Sequence, residues 1–176
     1  MLSLLFSRRL NELQSVPNVF ANDRGVVLAA TDGEPFIITT PPLQVQRAMR
    51  GKFNFEMSVV GLCGVSEEHE QLQKAWFAAL NDFKERLSEA IAKETNKPFD
   101  CSSAALVARS KADVFVVDEN CGRMLSEKSV SSGDMVALEL QPYYYDFRGI
   151  RGLRWRVLEV ALLEKSKKRK RFELWL

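Results

Sequence analysis

Residues Met135–Lys165 read MVALELQPYYYDFRGIRGLRWRVLEVALLEK. Two runs dense in valine and leucine flank a joint that holds Gly149 and Gly152. Glycine supplies the backbone freedom of a tight reversal, so the stretch reads as a hairpin of two strands. Tyr143, Tyr144 and Tyr145 are all the tyrosines of the chain, in one run. Successive side chains on a strand point to opposite faces, so three adjacent tyrosines cannot all face a core. Either Tyr144 points away from Tyr143 and Tyr145, or the strand is already passing into loop. In both cases a large aromatic faces outward beside arginines.

Those arginines are Arg148, Arg151, Arg154 and Arg156, and they interleave with Phe147 and Trp155. Unpaired bases offer flat π faces, and each stacking contact with an aromatic contributes about 1–3 kcal/mol. Arginine pairs with phosphate and also stacks, so the mixture suits single-stranded nucleic acid. A duplex hides its base faces and would gain less. The competing reading is a subunit interface, where tyrosine and arginine are also common anchors. A second patch is QRAMRGKFNF, with Arg47, Arg50, Lys52, Phe53 and Phe55. It is a candidate extension of the first, although the phenylalanines also alternate as core residues do.

Working back along the chain, KFNFEMSVVGL at Lys52–Leu62 alternates apolar and polar side chains and predicts a strand. Ser66 is a good N-cap, and Glu67, Glu68 and Glu70 suit the positive end of a helix dipole. Leu72, Ala75, Trp76, Ala79, Leu80, Phe83, Leu87, Ala90 and Ile91 follow helical spacing, which predicts a helix over Glu67–Lys93 ended by Asn96 and Pro98. Lys74, Lys84, Glu85 and Glu89 fall off that stripe. AALVARS and DVFVVDE read as strands, and Asn120-Cys121-Gly122 and Ser131–Asp134 as turns. GVVLAAT and PFIITT flank Asp32-Gly33 and suggest a further hairpin, with Pro41-Pro42 interrupting pairing. Short strands with one long amphipathic helix inserted among them predict an α+β protein built on a small, mainly antiparallel β-barrel. One domain is expected over residues 1–164, with residues 1–20 of undefined role and 165–176 a basic extension.

The composition fits an ordinary globular chain: 176 residues, 46% hydrophobic and 27% charged. Cys63, Cys101 and Cys121 are too few and too scattered for a disulfide framework or a zinc site, and suggest free thiols. His69 is the one histidine, and no phosphate-cradling glycine loop or nucleophile elbow is present. These absences point away from an enzyme and from any cofactor, towards a binding protein. No apolar run approaches the roughly 18 residues that span a bilayer. Residues 147–171 hold ten basic and two acidic side chains, a density that repels itself unless a polyanion neutralises it. Lys167, Lys168, Arg169, Lys170 and Arg171 fit a nuclear-localisation signal, a phosphate-binding arm or a plain solvated tail. The apolar FELWL beyond them is expected to pair as a strand or to dock. MLSLLFSRRL at the start fits a mitochondrial presequence or a surface helix. An intracellular location is expected.

With KFNFEM, the inserted helix, the SSGD turn and the YYYDFRGIRGLRW hairpin in place, residues 52–164 resemble the single-stranded-DNA-binding proteins of phages and large DNA viruses. The resemblance implies an OB-fold and sequence-tolerant binding that protects replication or recombination intermediates. It also implies Tyr143, Tyr144, Tyr145 and Trp155 as stacking residues, while a homo-oligomer and replication or recombination proteins stay open as partners. RNA stays open as a ligand. Many such proteins end in an acidic tail that recruits partners, whereas this chain ends basic and apolar. Two other readings stay open: a structural or virion-assembly module using the YYY/RGIRG hairpin, and a metal-dependent nuclease using Asp134, Glu139 and Gln141. The usual lysine after the second acid of such nucleases is absent here.

Overall fold

The computed structural model describes residues 12–166 apart from 23–24, 31–32, 51–54, 61–66, 98–105, 111–113, 121 and 127–128. The expectations for MLSLLFSRRL, Ser66, the three cysteines and the segment 167–176 lie outside these residues.

The decisive hairpin forms as its sequence predicts. Strand β9 (Met135–Phe147) pairs antiparallel with β10 (Ile150–Glu164) along their length. Arg148 (φ 51°) and Gly149 (φ 82°) make the two-residue reversal. Two successive positive φ angles match the twist of the flanking strands. On β9, Val136, Leu138, Leu140 and Pro142 are buried while their neighbours are not.

Each long strand is served on its outer edge by two shorter ones. Along β9 run β3 (Ile38–Thr39) and β4 (Leu43–Arg50), both antiparallel to it. Pro41-Pro42 separates them, and the Thr40 hydroxyl accepts the Leu138 N–H at 2.9 Å where the ladder is interrupted. Along β10 run β6 (Leu106–Ser110) and β7 (Phe115–Asp118), both parallel to it. Strand β5 (Phe55–Val60) links β4 to β6, so β4-β5-β6-β10-β9 form a closed circuit of five strands. Strand β8 (Arg123–Leu125) pairs with β7 beyond it.

The helix α1 (Glu67–Thr95) is inserted between β5 and β6, and its buried side chains join the core cluster of the strands. Asn96 (φ 54°) ends it in the left-handed conformation common just past helix C-termini. Trp76, Leu80, Phe83, Leu87 and Ile91 are fully buried, and Phe83 stacks on Phe36 with ring centroids 5.6 Å apart. The buried stripe follows the expected one at its large apolar residues and differs at its edges: Ala75 is exposed, whereas Gln73 and Lys84 are buried. Gln73 donates to the Pro42 carbonyl at 3.0 Å, which satisfies its amide on the core side. Among the described residues no helix is long and apolar enough to cross a membrane.

The N-terminal region departs from expectation. GVVLAAT meets PFIITT at one antiparallel bridge, Ala29–Pro35, with the Ala30 N–H donating to the Glu34 carbonyl, rather than along a full hairpin ladder. Strand β2 (Gly25–Ala29) pairs instead with β1 (Asn18–Asn22) in a separate two-stranded ribbon, joined to the next segment by an isolated Ala29–Pro35 bridge. Ile38-Thr39 goes to β9 because the long strand offers an unpaired edge and a buried neighbour for Ile38. Residues 12–14 also belong to the packed structure. Leu13 is fully buried, Arg86 donates to the Leu13 and Gln14 carbonyls, and Glu12 accepts from Thr39.

Candidate nucleic-acid interface

Side-chain alternation divides the tyrosine run between two faces. Tyr144 lies on the helix side and packs against the core, and burial raises its hydroxyl pKa. Tyr143 and Tyr145 lie on the other face with Glu139 and Gln141. Strand register brings β10 partners opposite them: Arg154 faces Tyr143 and Gly152 faces Tyr145. Each arginine reaches diagonally to a ring. The Arg154 guanidinium sits 4.1 Å from the Tyr145 centroid, and that of Arg156 sits 5.4 Å from Tyr143.

Gly152 has a role distinct from the reversal the sequence suggested. A Cβ added there would meet Tyr145 Cε1 and Oη at 2.9 Å. The ring end therefore occupies the space over the glycine. Gly152→Ala should push the Tyr145 ring off its seat, a movement confined to a flexible side chain. The expected result is a stability change within about 1 kcal/mol, with Tyr145 ring resonances shifted by NMR. An unmoved ring would show that the glycine does not set its position.

The face extends well beyond the hairpin. Met49 on β4 faces Glu56, Glu56 faces Arg109 on β6, Arg109 faces Arg156, and Arg156 faces Gln141. One row thus crosses all five strands of the circuit, about 19 Å at the usual strand spacing. Arg47 lies on the same side beside Ser58, with its Nη2 2.7 Å from Met49 Sδ. The two patches of the sequence, about a hundred residues apart, are therefore linked by one outward-facing row that follows the strand circuit. Arg109, missed in the sequence, links them, with its Nε 2.6 Å from Glu56 Oε2.

Other expected residues go elsewhere. Trp155 is a correction: it is 4% exposed and approaches Phe83 across the core, so it has no face to offer a base. Its neighbours Arg154 and Arg156 point outward, which turns Trp155 inward. Arg151 sits opposite Asp146 on the helix side of the hairpin, with its Nε 3.0 Å from the carboxylate. Phe147 and Arg148 occupy the hairpin tip, with the Arg148 guanidinium 5.2 Å from the Phe147 centroid. Arg50 ends β4 opposite Phe55. Lys52 and Phe53, and the run Lys167, Lys168, Arg169, Lys170 and Arg171, lie outside the described residues.

Asp146 also meets Lys97 at 3.6 Å, which ties the hairpin to the end of α1. The hydrogen bond from Arg151, helped by the charges of Arg151 and Lys97, holds its carboxyl below the ordinary 3.8. A lowered folded pKa contributes stability above the unfolded value and loses it as pH falls through the folded one. Asp146→Asn should therefore lower thermal stability above about pH 4 and make no difference in stronger acid. An equal deficit at every pH, followed by calorimetry, would exclude this charge as the source.

The acids of the nuclease reading are not gathered. Asp134 is buried in the Ser131–Asp134 turn, where it accepts from Ser131 N, Lys165 Nζ and Ser166 N at 2.7–2.8 Å. Glu139 lies on the outer face in a small cleft with Glu159, and burial followed by the charges of Glu159 and Glu12 raises its pKa. Among the described residues no three histidine, cysteine, aspartate or glutamate side chains are grouped so as to hold a metal ion.

No protein-family model and no curated protein matches this sequence. Solved structures share its fold at low sequence identity. The single-stranded DNA-binding protein from bacteriophage Enc34 superposes with a TM-score of 0.54 at 11% identity, covering 89% of this chain and 94% of that one. The same phage protein in complex with ssDNA gives 0.52 at 10% identity, over 86% and 96%. Bacteriophage T7 gp2.5, also a single-stranded DNA-binding protein, gives 0.51 at 11% identity, over 74% and 87%. The chain shares the fold of these phage proteins.

Proposed function

We propose that the protein binds single-stranded nucleic acid, foremost ssDNA, with little sequence choice, on the outer face of its OB-type strand circuit. One observation carries the reading. Tyr143 and Tyr145 stand on the outward face of the hairpin, with the guanidiniums of Arg156 and Arg154 over their respective rings. Every base has a π face, so stacking on tyrosine is tolerant of sequence, while the cations meet the phosphates. Solved phage proteins of this fold are single-stranded DNA-binding proteins, one of them in complex with ssDNA, which supports the same ligand class here. Protection of replication or recombination intermediates follows from such binding, without catalysis by the protein.

The test is fluorescence titration with oligothymidylate, poly-uridylate and duplex at two salt concentrations. Oligothymidylate should bind most tightly, and affinity should fall steeply with salt as phosphate counterions are displaced. Replacing Arg154 and Arg156 by alanine should flatten the slope of log K against log salt by about 0.7 for each phosphate no longer neutralised. Duplex affinity equal to that of the single strand, or an unchanged slope in a folded variant, would overturn the assignment.

A further inference from the structure

The outer face does not stop at the tyrosines. Alternation continues Tyr143 and Tyr145 to Phe147, and Arg154 and Gly152 to Ile150, so both tip residues lie on the same side. Phe147 and Ile150 face each other across the hairpin and are 66% and 65% exposed, the most exposed large apolar side chains among the described residues. The tip is braced beneath. The Arg148-Gly149 reversal is tight, and on the opposite face Asp146 holds both Arg151 and Lys97. Two apolar side chains thus stand at the end of a supported arm, with Arg148 as the adjacent cation.

Directly opposed side chains on paired strands have Cβ atoms about 5 Å apart. Side by side, a phenyl ring and an isoleucine make an apolar plane wider than one base. A base in a free strand is served by the tyrosines. The plane at the tip instead fits a terminal base pair, whose outer face is flat, apolar and unstacked. Apolar wedges flanked by arginine are a general means of contacting and opening base steps.

Resting on the single-strand reading above, we propose that Phe147 and Ile150 form a duplex-end platform. The strand lies along Tyr145 and Tyr143, and the tip abuts the last base pair where single strand meets duplex. The observation that favours nucleic acid over a protein partner is continuity: the tip prolongs the tyrosine–arginine face and carries a cation.

The experiment compares three oligonucleotides: oligothymidylate, a blunt duplex, and a duplex bearing an oligothymidylate extension with 2-aminopurine at the junction pair. Wild type should bind the junction about tenfold more tightly than the extension alone, as one further stacked contact provides. Aminopurine emission should change saturably on binding. Phe147→Ser with Ile150→Ser should abolish both effects, and Ile150→Ser alone should weaken them and leave oligothymidylate affinity within about twofold. Ile150→Thr, which keeps the β-branch that strands favour, should reduce them in part and controls for folding. Absence of junction preference in wild type overturns the proposal while sparing single-strand binding. Equal loss on oligothymidylate and junction makes the tip an ordinary stacking site and also overturns it. A variant that changes only sedimentation assigns the tip to a subunit interface instead. Failure of wild type to bind oligothymidylate at all removes the underlying reading.

Discussion

Replacing Tyr143 and Tyr145 together by alanine is expected to weaken oligothymidylate binding by about 30- to 1,000-fold. This is about 2–4 kcal/mol, the lower part of the range for two base–aromatic stacks at about 1–3 kcal/mol each. The rings lie on the outer face, so the fold should stay within about 1 kcal/mol of wild type. Their guanidinium neighbours remain, so the salt slope should hardly move while the affinity falls. Tyr144→Ala is the matched control. Its ring packs against the core, so stability should drop by about 1–3 kcal/mol, with binding affected only through unfolding. If the double variant dissociates an oligomer and retains its affinity for oligothymidylate, the tyrosines are a subunit interface.

Trp155→Ala should cost about 3–5 kcal/mol, enough to unfold a marginal domain. The indole is 4% exposed and lies 6.4 Å from the Phe83 ring, between the helix and the hairpin. Trp155→Phe keeps an aromatic there and should lose less. The same position makes a second claim. Emission from a variant retaining only Trp155 should be blue-shifted and insensitive to oligothymidylate, because no base reaches the ring. Saturable quenching by direct contact, with the fold unchanged, would return Trp155 to the binding surface.

Residues with a strong local signal were legible in the sequence. The apolar stripe of α1 and its arrest at Asn96 come from spacing and one left-handed residue. The division of Tyr144 from its neighbours comes from strand alternation alone. Trp155 was legible in principle, since Leu153, Trp155 and Val157 alternate with two arginines, but the density of aromatics and cations around it masks the period. Strand β4 was hidden for a different reason. A register shift between Val45 and Arg47 changes the phase of LQVQRAMR, so no clean period of two survives. Arg109 was not legible at all. It is one cation in a valine-rich run, and its place in the surface arises from parallel pairing of β6 with β10, a contact that no local pattern encodes. The β1–β2 ribbon was missed because NVFAN is short and ends in asparagines.

Strand β10 pairs with β6, β7 and β9, and so joins segments made early in the chain to those made late. During synthesis β6 and β7 must wait for Ile150–Glu164 to leave the ribosome before that edge can be filled. Such distant pairings slow folding, because loop entropy is lost before contacts compensate for it. Until then, nascent chains expose strand edges to one another. Chains stalled before residue 150 are therefore expected to aggregate or to recruit chaperones, and full-length chains to fold without them.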